Sequence, residues 1–192
     1  MARKAEAKRE RLEELKTRMI EHFARQFSQS RLWFFQDRSG RVAGYLGTEL
    51  VMFVGQRPST GQGGFSRLAT DGASGFYSLL VGYGFENAHV TDLVKEQMKV
   101  GIPSDEQVDR NWPFFQEELE IIRPKVVVAL GGWVRWILEH RIESLIPIER
   151  IMHYSYRFIR PPEREKRLRE DLARIRRKVD ATPGNCCRED DY

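Results

Sequence analysis

The sequence predicts an α/β fold, a three-layer sandwich whose central, mainly parallel sheet of four strands is flanked by helices. Three observations predict it. Leu50 to Val54 is a run of five apolar residues that stops at Gly55, short enough for a strand buried on both faces. Lys125 to Leu130 (KVVVAL) is β-branched, bounded by Gly131-Gly132, and reads the same way. Amphipathic helical patterns stand between and after these runs, and strands that alternate with helices pair in parallel beneath helices on both faces.

In chain order, Leu12, Leu15, Met19, Phe23 and Phe27 recur at three- and four-residue spacing, which predicts a helix over about 3–28 with one apolar stripe. Segment 1–30 is therefore expected as a basic amphipathic helix docked on a domain spanning 31–179, with 180–192 a disordered tail of Pro, Gly and acidic residues. Residues 31–48 read as irregular chain or short strands interrupted by Gly40, Gly44 and Gly47. After the first strand, 74–85 reads as a helix with Ser74 as N-cap and Gly84 as stop. His89 to Leu93 reads as a strand with Asp92 near its carboxyl end. Ser104 and Gln107 form an S-x-x-Q capping box that opens a helix to about residue 122, ended by Arg123-Pro124. A helix over 133–140, a strand around 150–153 and a helix over 162–179, with Leu168, Leu172, Ile175 and Val179 inward, complete the chain.

At 192 residues the chain suits one domain. The first thirty residues contain no apolar leader, and no run approaches the roughly 20 apolar residues of a membrane span, so a cytoplasmic protein without membrane contact is expected. The two cysteines, Cys186 and Cys187, are adjacent in the polar tail and offer neither a disulfide framework nor a spaced ligand set, so no metal site is expected. Charge is uneven. Residues 1–31 carry nine Lys/Arg against five Asp/Glu and 157–178 carry ten against four, whereas 32–156 carry twelve against fifteen. Basic ends around a near-neutral middle suit a polyanion, though such runs also read as solvated helix faces.

Ligands of parallel α/β sheets bind beyond the carboxyl ends of the strands, which puts Gln56, Arg57, Pro58 and Ser59 where chemistry is expected. The glycine-rich stretch 60–64 that follows exposes backbone N–H groups but lacks the lysine of a P-loop. The same residues also read as an ordinary βα connection.

Four stretches carry a family resemblance. GQRPS at 55–59, VTDLVK at 90–95, IIRPKVVVALG at 121–131 and HYSYR at 153–157 follow the order and spacing of the motifs of the uracil-DNA glycosylase superfamily, over about 110 residues. The wording is nearest to the thermophile-type bacterial and archaeal branches, whose members hold a four-cysteine iron-sulfur cluster. Two of those cysteine positions look to be Glu96 and Trp112 here; neither replaces a thiolate, and Trp112 is bulky enough to occupy the vacated space. The resemblance thus implies the fold without the cluster, and a monomeric, cofactor-free DNA glycosylase acting on uracil or another deaminated base.

The resemblance also implies roles. His153 stands where a histidine lies against O2 of the departing base and stabilises its negative charge. Gly55, Gln56 and Arg57 would line the base pocket, and Phe65 would stack on the flipped base unless it folds onto the core. Pro58, Ser59 and Ser155 would touch phosphates, while Tyr156 or Arg157 would wedge into the vacated stack.

Two positions depart from the family. Gln56 and Arg57 replace the acidic residue that orients water; ATDGASG at 69–75 resembles, with Asp and Gly exchanged, the G-D-(A/S)-S-G segment whose aspartate serves in a branch lacking that acid, so the resemblance implies Asp71 as the candidate base, although the segment also reads as a plain Asp-Gly turn. Asp92 replaces an asparagine that reads uracil. An ionised carboxylate only accepts hydrogen bonds, so Asp92 is protonated, or pairs with a cation such as Lys95, or the preferred base offers donors that uracil lacks. Hypoxanthine and xanthine, a catalytically impaired DNA-binding protein, and an unrelated α/β enzyme or nucleotide-binding protein are the alternatives.

Overall fold

In the computed structural model of the protein, residues 2–24, 32–36, 40–58, 75–97, 101–143, 145–154 and 158–182 are described. Four strands, β1 (Val51–Gly55), β2 (His89–Asp92), β3 (Val126–Leu130) and β4 (Ile148–Ile151), form one parallel sheet in the order β2-β1-β3-β4. The helices are α1 (Ala2–Ala24), α2 (Phe76–Gly82), α3 (Asp105–Ile122), α4 (Gly132–Arg141) and α5 (Pro161–Ala181), with a 3₁₀ turn at Gly44–Leu46.

All five positions of β1 and of β3 are buried, because helices cover both faces of the sheet. Val51, Phe53, Val126 and Val128 join one core with α2 and α5, through Phe76, Leu80, Leu172 and Ile175. Their alternating neighbours Met52, Val54, Val127 and Ala129 join the other core with α3 and α4, through Val108, Phe115, Ile137 and Leu138. This is the three-layer arrangement that the apolar runs predict. A third cluster seats α1: Leu12, Leu15, Met19 and Phe23 are fully buried against Phe34, Tyr45, Ile121 and Ile122. At ~1.5–3 kcal/mol for each fully buried apolar side chain, that seam holds α1 firmly. Lys8 adds a hydrogen bond from Nζ to the carbonyl of Ile122, at the C-terminus of α3.

Local signals act as the sequence implies. Ser104 Oγ accepts from the Gln107 amide at 3.3 Å and Gln107 Oε1 accepts from the Ser104 amide at 2.9 Å, closing the capping box of α3. Arg123, at φ 50°, ends that helix in the left-handed region immediately before Pro124. Two boundaries differ from expectation. Helix α2 begins after Gly75 rather than Ser74, which lies outside the described residues, while Gly84 at φ +70°, just past the C-cap Tyr83, ends it as expected. Strand β4 covers Ile148–Ile151, earlier than the expected 150–153, because its pairing with β3 ends at Leu130↔Ile151. The amide of Gly131 still donates to the Ile151 carbonyl, and Gly131 at φ 106° then turns the chain into α4. His153 therefore stands beyond the strand, two residues after its last pairing position.

Candidate functional site

The register brings the carboxyl ends of the strands level. Gly55 pairs with Asp92, Val54 with Ala129, and Leu130 with Ile151, so Gly55, Asp92 and the chain leading to His153 all emerge at one edge of the sheet. Hydrogen bonds extend the β1–β2 pairing past the strands, with the amides of Leu93 and Val94 donating to the carbonyls of Gly55 (2.9 Å) and Gln56 (3.2 Å). The side chain of Asp92 leans over Gly55 so closely that a Cβ at position 55 would collide with Asp92 Oδ1. Any larger residue there must displace the Asp92 carboxyl.

Asp92 is 5% exposed, and burial pushes its carboxyl up to about 7, against the pull of Lys95 and Arg57 and with help from Glu118. At neutral pH a large fraction of this carboxyl is the neutral acid, able to donate and accept at once. Of the alternatives for Asp92, pairing with Lys95 is not what the structure adopts. Lys95 Nζ lies 2.9 Å from Glu118 Oε1 and donates to Thr91 Oγ1 at 2.6 Å and to the backbone carbonyl of Asp92 at 2.5 Å.

His153 is half-buried, and desolvation lowers its imidazole to about 4, so the ring is neutral at physiological pH. It stacks on Tyr154 at 4.6 Å, and Tyr154 in turn stacks on Phe76 at 4.9 Å and an interplanar angle of 15°. This aromatic ladder ties the end of β4 to the start of α2. Burial pushes the Tyr154 hydroxyl up, and the charge of Asp92 adds to that push. His153 also lines a cleft of ≈660 Å³ with Gly131, Arg150, Met152, Arg167 and Arg174. Gly55 and Asp92 do not line that cleft.

Arg57 is occupied with backbone. Its Nε donates to the Gly101 carbonyl at 2.9 Å and its Nη1 to that of Pro58 at 3.4 Å, which ties the two loops together; a guanidinium only donates, so Arg57 offers no base to water. Gln56 is half-buried and Pro58 buried beside it. Ser59, Phe65, Asp71, Ser155, Tyr156 and Arg157 lie outside the described residues.

Behind the edge is a polar cluster buried between β2 and α3. Glu118 and His89 are completely buried and Lys95 is 2% exposed. His89 Nε2 stands 3.6 Å from Glu118 Oε2, and Tyr45 presses on His89 with ring centroids 5.1 Å apart. Burial raises the Glu118 carboxyl, but Lys95 and His89 outweigh it and hold the group below its usual range.

Next to this cluster, Glu96 Oε2 accepts from Asn111 Nδ2 at 2.7 Å and Glu96 Oε1 from Arg110 Nη2 at 2.9 Å, while Asn111 Oδ1 accepts from the Lys95 amide at 3.1 Å. Trp112 packs against Phe115, with Arg141 5.6 Å above its ring. A carboxylate satisfied by a guanidinium and an amide does not fit an iron-sulfur cluster. Among the described residues no group of three or more His, Cys, Asp or Glu side chains converges as a metal site, and no helix is long and apolar enough to cross a membrane.

Glu118, His89 and Tyr154 carry the site's electrostatics without standing out in sequence. One signal was available: Asn111 and Glu118 occupy the buried stripe of α3 with Val108, Phe115 and Ile122, and polar residues on a buried stripe need partners. No protein-family model matches the chain, and no curated protein matches it in sequence.

Proposed function

We propose that this protein is a monofunctional DNA glycosylase that extrudes a deaminated base, uracil first among them, and hydrolyses its N-glycosidic bond to leave an abasic site. The observation that carries the reading is that Gly55 and a buried, partly protonated Asp92 stand at the same carboxyl edge of the sheet as the chain leading to a neutral His153. A neutral carboxylic acid accepts from N3–H and donates to O4 as an asparagine amide does, which suits uracil. A neutral imidazole places one N–H donor where charge develops as the base departs, with no need to lose a proton first. In the reaction the bond from C1′ to the base nitrogen breaks with its electron pair going to the base, water oxygen bonds to C1′ and gives up one proton to solvent, and the base anion takes up one proton afterwards. DNA is the partner, approached by the basic α1 and α5.

A second reading is favoured by one observation. Arg57 stands in place of a water-orienting acid with its guanidinium bound to the carbonyls of Gly101 and Pro58, so a catalytically impaired DNA-binding relative has the same frame. Oligonucleotides bearing uracil, hypoxanthine, xanthine or a G:T mismatch, single- and double-stranded, decide between the two. Alkali-labile cleavage at the lesion supports the glycosylase. Binding that is salt-dependent, without cleavage of any lesion, supports the binding protein.

A further inference from the structure

Lys95 and Glu118 are an expensive pair to bury, and the base-handling side chains do not require two opposite charges in a dry core. Their geometry explains the cost. Lys95 Nζ grips the last turn of β2 at two points, Thr91 Oγ1 and the Asp92 carbonyl, and Glu118 holds the ammonium from α3 at 2.9 Å. The carboxyl whose backbone is thus clamped is the one that leans over Gly55.

We propose that the buried Lys95–Glu118 pair is a positioning device for Asp92: it holds the end of β2 in register over Gly55 and, set against the burial of the site, biases the Asp92 carboxyl between its acid and its ionised form. The inference deepens the glycosylase reading, on which its meaning for base choice rests; the clamp itself does not depend on that reading. With the proton, Asp92 presents a donor and an acceptor, the pattern complementary to a base edge with N–H beside a carbonyl. Without it, Asp92 presents acceptors alone and favours a base edge with two donors.

The charged and titratable groups around Asp92 come from every neighbouring element. Lys95 follows β2, Glu118 projects from α3 with His89 of β2 against it, Arg57 follows β1, and Tyr154 follows β4. Lys95 and Arg57 favour the ionised carboxylate, whereas burial and Glu118 favour the acid. Removing either member of the pair must therefore move Asp92 in opposite directions, a signature that loss of packing does not produce.

The test is ¹³C NMR titration of the Asp92 carboxyl in the full chain, with Asp92→Asn to assign the resonance. Glu118→Gln is expected to lower the midpoint and Lys95→Met to raise it, by about one pH unit each way. The double variant Lys95→Met/Glu118→Gln, which leaves no lone buried charge, is expected to fall between the two. Shifts in the same direction, or no shift in either variant, overturn the proposal. If Lys95→Met does not fold, the isosteric Glu118→Gln alone must lower the midpoint, and an unchanged midpoint there overturns it equally. Release of uracil against pH is followed in parallel. Where the carboxyl titrates as expected but no variant releases any base, the clamp stands and the glycosylase reading falls.

Discussion

Asp92 Oδ1 lies over the Cα of Gly55, in the space a Cβ would occupy, and the two residues are paired in register across β1 and β2. A backbone position and a carboxyl thus define each other at the edge where the candidate site lies. Gly55→Ala is expected to destabilise the protein by about 1–3 kcal/mol, the usual cost of overpacking. Asp92→Ala opens the space, so the double variant should lose less than the sum of the single losses. Urea unfolding of the four proteins measures this coupling, and strict additivity would show that the crowding is relieved at no cost.

Asp92 also sets a pH dependence of stability. Its folded value of about 7 exceeds its ordinary 3.8, so the folded state holds a proton that the unfolded chain has lost. The stability this contributes is complete below about 4 and is lost as pH rises through about 7. Asp92→Asn removes that loss and should gain on the order of a few kcal/mol relative to the parent at pH 8, with little gain at pH 4. Unfolding midpoints at the two pH values check the difference; an equal effect at both would contradict it.

His153 acts with the opposite sign. Its folded value of about 4 lies below the ordinary 6.5, so its contribution is present above 6.5 and is lost as pH falls through about 4. Between 4 and 6.5 the two groups offset each other, and His153→Gln is expected to uncover the falling slope due to Asp92. A stability curve in that window with no change of slope would mean that the imidazole is not desolvated. On oligonucleotide substrate, His153→Ala should slow single-turnover release about 10²- to 10³-fold, the loss of one donor to a developing anion.

The Glu96–Asn111 hydrogen bond predicts a structural cost. Asn111→Leu removes a partner from a buried carboxylate and from the Lys95 amide at once, and should cost about 1–3 kcal/mol or more, even though leucine suits the stripe of α3. A variant as stable as the parent in guanidinium would show that water replaces the amide freely.

DNA affinity is expected to fall steeply with salt. Charge reversal of Arg157 together with Arg160, which is exposed at the N-cap of α5, should weaken binding and flatten the salt slope by about one unit for each phosphate left without its cation. Fluorescence anisotropy from low to high salt measures both quantities. An unchanged slope would assign these arginines to a merely solvated helix entry.

Much of the architecture was legible because it depends on short-range patterns. The runs 50–54 and 125–130, the stripe of Leu12, Leu15, Met19 and Phe23, and the box of Ser104 and Gln107 each state a local preference that the packed chain satisfies. The carboxyl-edge placement of Gly55 and Asp92 follows from parallel strands, so it too was implied. What the tertiary structure alone decided is which partner each polar group takes. Lys95 is three residues from Asp92 and was as reasonable a mate for its carboxylate, yet it meets Glu118, 23 residues away, because α3 lays its buried stripe across β2. Arg110 and Asn111 both meet Glu96, from a helix whose placement beside the chain after β2 only the packed layers fix. Ionisation followed from the same packing: desolvation is a property of the surrounding layers, and it keeps one carboxyl partly protonated near neutral pH and one histidine neutral.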